Sequence, residues 1–269
     1  MKNENDFLNP LLPMKPHALL CSLVVIASLA RAAAPAAPPA LPPPEATEAW
    51  TPVPPIVTAP TGQPPSDAVV LFDGKSLAAW EPVRANGGSW LIEDGAMVVK
   101  PGTGDQRSKA AFGDVQLHVE FRTPQVIEGE GQGRGNSGIF LMGLYELQVL
   151  DSHNNPTYPN GQLGSVYKQH IPLANPARPP GEWQSYDIIF IAPRFDAAGQ
   201  LVSAARVTAF INGVLVLNNV EIQGPTVYRG APKYAAHADQ LPIVLQDHRN
   251  PTAFRNIWAR PLDARAAAK

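Results

Sequence analysis

The chain has 269 residues, 21 basic and 23 acidic side chains, a formal charge of −2 and one cysteine, Cys21. So mild a balance gives no electrostatic case for nucleic acid or for an anionic membrane surface as partner. Cys21 falls within the leader described next, so a mature chain has no cysteine for disulfides, thiolate metal sites or a cysteine nucleophile.

Lys2, Lys15 and His17 precede an apolar run from Ala18 to Ala30, and Ala30-Arg31-Ala32 fits an A-x-A cleavage site. Residues 1–32 therefore read as an export signal, directing the protein to the periplasm, the exterior or the cell surface. The run is shorter than the roughly 20 residues that span a bilayer, so no transmembrane segment is expected in the mature chain. Cys21 opens the run rather than ending it, a poor place for lipid anchoring. Removing the leader leaves 18 basic against 21 acidic residues, a charge of −3. Residues 33–66 hold 12 of the 30 prolines and almost no periodic apolar pattern, the composition of a disordered, extended linker. Residues 67–262 form one domain of 196 residues, ample for a buried core, and 263–269 are a C-terminal tail.

Within that domain short apolar or alternating runs recur between turn signals, with no long amphipathic helix. Ala68–Phe72 runs into Asp73-Gly74, and Trp90–Ile92 and Ala96–Lys100 flank the hairpin signal Glu93-Asp94-Gly95. Val115–Thr123 alternates, with Val115, Leu117, Val119 and Phe121 opposite Gln116, His118, Glu120 and Arg122. The stretch from Gly135 to Ser152 reads as two strands joined by a tight Gly143-Leu144 connection. Its second strand sets Tyr145, Leu147 and Val149 against Glu146 and Gln148, with Asp151 at the exit. A carboxylate and an amide side by side mark either plain solvated surface or the floor of a polar groove. Trp183–Ala192 is another long run, Val207–Ile211 and Val214–Leu217 flank the hairpin turn Asn212-Gly213, and Pro242–His248 and Phe254–Pro261 close the domain. Many short strands and no repeat period predict an all-β, jelly-roll β-sandwich.

Two long loops interrupt the pattern, Ser152–Gly181 with Tyr158, Tyr167, Lys168 and His170, and Val220–Gln240 with Tyr228, Arg229, Lys233, Tyr234 and His237. Loops of this length are commonly functional, and aromatic and hydrogen-bonding residues around a sheet suit carbohydrate. They would equally serve to cover sheet edges. Trp80, Trp90, Trp183 and Trp258 read as core. No zinc spacing, phosphate loop, HExxH or nucleophile elbow is present. A divalent metal on Glu, Asp or His ligands stays open, so the cofactor is unknown.

Six motifs in order resemble the 3-keto-disaccharide hydrolase family, also described as 3-keto-glycoside lyases and 3-keto-2-hydroxyglucal hydratases. They are Leu71-Phe72-Asp73-Gly74-Lys75-Ser76-Leu77 with Trp80; Gly135-Asn136-Ser137-Gly138-Ile139; Tyr145-Glu146-Leu147-Gln148-Val149-Leu150-Asp151; Gly181-Glu182-Trp183 with Tyr186-Asp187; Leu245-Gln246-Asp247-His248; and Phe254-Arg255-Asn256-Ile257-Trp258. The resemblance implies a concanavalin-like sandwich, export, and a 3-keto glycoside or other carbohydrate as partner. Three positions depart from the family pattern: Met142 in place of a basic residue, and Lys168 and Arg249 in place of glycines.

A 3-keto sugar has an acidic C2 proton, because the carbanion delocalises into the carbonyl. Removing it lets the anomeric substituent leave, and water can then add back. Such a site needs a base near C2, a hydrogen-bonding or positive group at the 3-oxygen, and an acid for the leaving group. Glu146 is the expected base, with His248 and Asp151 as the other acid–base candidates, Asp151 alternatively as a metal ligand or a turn cap. Gln148 is expected to hold a hydroxyl, Arg122 to bind an enolate or carbonyl oxygen with Glu120 orienting it, and Asn136, Tyr167 and Gln246 to contact the sugar. Glu146, Gln148 and Arg122 are expected to line one groove. The competing reading is a non-catalytic carbohydrate-binding module. A conventional glycosidase would need a second carboxylate flanking the bond, which Gln148 does not supply on the Glu146 strand.

Overall fold

The computed structural model describes residues 41–262. The expected export signal, residues 33–40 of the expected linker and the 263–269 tail lie outside the described residues. Residues 41–50 contain one 3-10 turn, Pro44–Thr47, with no buried residue. From Thr51 a separate compact unit begins. Its first residues, 51–66, include no strand, but Ser66 closes a turn on Thr58 through two hydrogen bonds, 2.9 and 3.1 Å.

Fifteen strands follow among the described residues: β1 (Val69–Phe72), β2 (Trp80–Pro82), β3 (Leu91–Glu93), β4 (Ala96–Val98), β5 (Gln106–Phe112), β6 (Val115–Arg122), β7 (Ser137–Leu141), β8 (Tyr145–Val149), β9 (Gln184–Ile191), β10 (Arg194–Phe195), β11 (Leu201–Ser203), β12 (Arg206–Ile211), β13 (Val214–Glu221), β14 (Leu241–Leu245) and β15 (Ala253–Pro261). The larger sheet runs β13-β12-β9-β6-β15-β4-β3, with β1 also paired to β15. The smaller runs β2-β5-β14-β7-β8, and β10-β11 is a separate ribbon. All pairings are antiparallel. With no α-helix among the described residues, this is the expected jelly-roll sandwich.

Turn chemistry sets the register. Asp94-Gly95 and Asn212-Gly213 both take positive φ, the type I′ geometry whose twist matches its flanking strands. The β7–β8 turn is of the same kind but sits one residue earlier than the sequence suggests. Leu144 N–H bonds Leu141 O at 3.1 Å, and the central residues are Met142 (φ 55°) and Gly143 (φ 66°). Period-2 alternation then sorts the side chains. On β6, Val115, Leu117, Val119 and Phe121 are buried, as are Tyr186, Ile188 and Phe190 on β9 and Tyr145, Leu147 and Val149 on β8. They meet across the sandwich, with the Tyr145 and Phe190 rings 5.7 Å apart. Each such side chain is worth roughly 1.5–3 kcal/mol of transfer free energy. Trp80, Trp90 and Trp258 are buried as expected, but Trp183 is only half-buried and packs on the small cluster of Ala96, Val98 and Ala253.

Candidate active site

The site is built on the face of the smaller sheet that points away from the core. Register places Glu146 opposite Phe140 and Gln148 opposite Gly138, and Gln246 N–H bonds Gly138 O at 3.0 Å just beyond the end of β14. Because Tyr145, Leu147 and Val149 take the core side, the period of two forces Glu146 and Gln148 onto this face. Here they are not solvated. Glu146 is 4% and Gln148 1% exposed.

The two long loops cause that burial. β8 is an edge strand, and the first loop pairs with it: Tyr167 N–H bonds Glu146 O at 3.1 Å and Gln148 N–H bonds Ser165 O at 3.0 Å. The second loop closes from the other side, with Thr226 N–H on Leu144 O at 2.8 Å and Glu146 N–H on Thr226 Oγ1 at 3.0 Å. The same contacts cover an exposed edge and wall a cleft of about 700 Å³. Glu146, Gln148, Gln246 and Phe140 lie in it with Asn136, His248, Gln132, Gly133 and Thr226, and Tyr158, Tyr167 and Tyr228 stand around it.

Glu146 is the electrostatic anomaly of this cleft. Among the described residues neither carboxyl oxygen receives a hydrogen bond. Burial, reinforced by the negative charge of Asp105, pushes its pKa up to about 8. Gly138 makes the room: a Cβ there would stand 2.7 Å from Glu146 Oε1 and 3.1 Å from the Phe140 ring. The glycine is a spatial requirement, since its φ is not in the left-handed region. Asp105 is itself raised by burial, against the Asp247 N–H bond at 2.8 Å that favours its charged form. Repulsion from Asp247 also raises it, while attraction to Arg84 and His248 lowers it.

The amides complete the floor. Gln148 Nε2 donates to Gln132 Oε1 at 2.9 Å, and Gln132 is held by Gly161 O and by the Thr157 hydroxyl. The Oε1 atoms of Gln148 and Gln246 are buried and unpartnered, two acceptors suited to sugar hydroxyls. Asn136 donates to Gln132 O at 2.7 Å and shapes the wall. His248 stands exposed at the rim, its side chain making no hydrogen bond among the described residues. Asp247, between the two cleft residues, turns away to bind Gly104 N–H at 2.9 Å.

Three sequence-predicted residues are elsewhere. Arg122 does not share the Glu146 groove, because β6 belongs to the other sheet. Its guanidinium lies 4.8 Å from the Trp183 ring centre, beside a separate hollow of about 400 Å³. Glu120 does not orient Arg122 but accepts from Arg255 Nε at 2.6 Å and Asn256 Nδ2 at 2.9 Å. Burial opposes its charge, but these bonds and the Arg255 charge outweigh it and lower its pKa. Asp151 is 3% exposed and tied to Arg134 Nε at 2.7 Å and to His153 N–H at 3.1 Å. It anchors the start of the first loop and lines the Arg122 hollow, not the cleft. The sequence reading missed Gln132, Gly133, Phe140, Gly138, Thr226 and Asp105 as site residues. Phe140 and Gly138 were available from the β7–β8 alternation; the others come from irregular segments. Among the described residues no three His, Cys, Asp or Glu side chains cluster as a metal site.

Residues 67–260 match the model of the 3-keto-alpha-glucoside-1,2-lyase-like domain, so the chain belongs to that family, as the six motifs suggested. A proposed glycosyl hydrolase from Parabacteroides distasonis is 49% identical, with a TM-score of 0.79 over 82% of this chain and 97% of its own. A second from the same organism, 21% identical, shares the fold at a TM-score of 0.53, covering 73% of this chain and 94% of its own. No curated protein matches the chain. The family and the 49%-identical relative support a carbohydrate-active role and an enzyme acting on glycosides.

Proposed function

We propose that this member of the 3-keto-alpha-glucoside-1,2-lyase-like family cleaves 3-keto glycosides by elimination, with Glu146 as the base. The observation that carries the reading is a buried, unbonded carboxyl with a pKa near 8 on the floor of an amide-lined cleft. A carboxylate stripped of water and hydrogen bonds is a strong proton acceptor, and a base poised near the working pH combines availability with driving force. In the reaction the C2–H electron pair passes toward the 3-carbonyl as Glu146 takes the proton. The electrons return to form the C1–C2 double bond as the anomeric C–O bond breaks. The aglycone oxygen takes a proton, which His248 at the rim is placed to supply. Water then adds across the double bond: its hydroxyl goes to C1, its remaining proton to His248, and Glu146 returns its proton to C2, so net hydrolysis leaves both groups as they began. Gln148 and Gln246 hold sugar hydroxyls through their free Oε1 atoms. We place the reaction outside the cytoplasm, on the reading of residues 1–32.

The test incubates purified protein, with and without chelator, with a 3-keto glucoside and its unoxidised parent, and identifies the products. The expected outcome is cleavage of the oxidised substrate alone, with loss of C2 deuterium to solvent. Cleavage of the parent at a similar rate defeats the elimination mechanism. Sugar binding without turnover of either favours the binding-module reading.

A further inference from the structure

Beyond the reacting sugar, the cleft changes character. Its floor is amide and carboxyl, but its outer wall is three tyrosines from two separate loops, Tyr158 and Tyr167 from the first and Tyr228 from the second. The Tyr158 and Tyr167 rings are 6.3 Å apart and inclined by 59°, and their hydroxyls bond each other at 2.7 Å. That bond fixes the two rings against each other. The wall presents chiefly ring faces and edges, in contrast to the amides of the floor.

The wall is held in place by specific contacts. A Cβ at Gly161 would collide with the Tyr158 ring, so that glycine reserves the ring's seat. Lys168 takes φ 59°, a backbone conformation that long side chains seldom adopt. From there its Nζ donates to Tyr228 O at 2.8 Å, bridging the two loops. The same ammonium lies 4.2, 5.6 and 5.8 Å from the ring centres of Tyr228, Tyr167 and Tyr158. One cation therefore orders all three rings.

The geometry points to an aryl-aglycone subsite formed by Tyr158, Tyr167 and Tyr228, with Lys168 as the positioning residue that sets its selectivity. The inference rests on the proposed reaction for the identity of the bound sugar. A tilted pair plus a third ring offers an aromatic guest both stacked and edge-to-face contacts, which a saturated ring of equal size does not gain.

The test uses the benzyl and cyclohexylmethyl 3-keto glucosides, which match in size and leave as similar alkoxides, so leaving-group acidity does not bias the comparison. Calorimetric Kd values for the two are read in the Glu146→Gln background, where the wall is unaltered and neither ligand is consumed, while cleavage is followed separately on the wild type. With the wall unaltered the protein is expected to bind the benzyl compound about three- to ten-fold more tightly. Lys168→Gly, which suits the left-handed backbone, should bring that ratio close to one, as should Tyr228→Ala, while Lys168→Arg retains it. A ratio near one with the wall unaltered, or a ratio that survives Lys168→Gly, overturns the subsite. If the benzyl preference persists but neither compound is cleaved, the elimination reading fails and the subsite stands. If both are cleaved with equal Kd, the subsite fails alone.

Discussion

Replacing Glu146 by Gln separates two consequences of one buried carboxyl. The amide keeps the shape above Gly138 but accepts no proton at any working pH. For turnover of a 3-keto glycoside the expected loss is about 10²–10⁴-fold, the usual contribution of general acid–base catalysis. For stability the expected change is a gain, and it depends on pH. The pKa of Glu146 is raised in the fold, from an ordinary 4.5 to about 8. Below 4.5 both folded and unfolded chains hold the proton, and the group contributes no pH dependence. Between 4.5 and about 8 the folded state holds a proton that the unfolded chain has released, so stability falls by about 1.4 kcal/mol per pH unit. Above about 8 the whole linkage is lost, about 5 kcal/mol relative to acid pH. The Glu146→Gln variant would carry none of this. Denaturant unfolding followed by tryptophan fluorescence at about pH 4 and about pH 8.5, on either side of the linkage window, reads the difference on both proteins. Asp105 and every other titrating group is common to the two. The variant should gain on the wild type by several kcal/mol as pH rises. Parallel pH–stability curves would refute the raised pKa, and with it the argument that burial makes Glu146 a base. Parallel curves with turnover lost would leave Glu146 essential for another reason, such as binding.

In the wild type, kcat/KM should rise with pH toward about 8, the raised value for Glu146, because the free enzyme's base must be ionised; a profile flat from about pH 5 to about pH 8 counts against it. Gly138→Ala pushes a methyl to 2.7 Å from Glu146 Oε1 and should lower kcat about 10²-fold by misplacing the base, with circular dichroism unchanged. Asp151→Ala leaves the partly buried Arg134 with only His153 O, at 3.0 Å, as acceptor, which should cost ~1–3 kcal/mol of stability, measured by denaturant unfolding. Arg122→Ala should leave kcat/KM within about two-fold, since the side chain stacks on Trp183 away from the cleft; a large loss would restore it to the site.

The sandwich and the floor were legible because both depend on the period of two. Once Tyr145, Leu147 and Val149 are given to the core, Glu146 and Gln148 have one other direction to point. What alternation does not carry is which polar faces share a space. Arg122 and Glu146 each stand on a polar face, but β6 and β8 lie in different sheets, and no local pattern on either strand encodes that. Asp151 misled for a related reason: a carboxylate at a strand exit reads alike whether it faces a substrate or Arg134, and the ion pair closes 17 residues away in sequence. β5, with the sequence Gln-Arg-Ser-Lys-Ala-Ala-Phe, passed unread because little in it favours a strand. Its pairing with β14 and β2 supplies what propensity does not.

The property that makes Glu146 chemically useful has its source outside its own strand. An outward carboxyl on an edge strand has, by default, water around it and an ordinary pKa. Here residues 164–167 pair along β8 and Thr226 caps it from the second loop, so the backbone bonds that protect the edge also exclude water from the carboxyl. Desolvation is the larger cause of the raised pKa, and Asp105 the smaller. Loosening the loops should therefore return Glu146 toward an ordinary carboxylate even with every floor residue intact. Thr226→Val tests this, since it removes the hydroxyl that accepts from Glu146 N–H while keeping the volume. A wetter Glu146 titrates lower, so the rise of kcat/KM should move to lower pH and its maximum should fall, a weaker base being available sooner. A profile unchanged in both position and height would show that the carboxyl's environment is set by the sheet alone, and that the loops contribute walls but not chemistry.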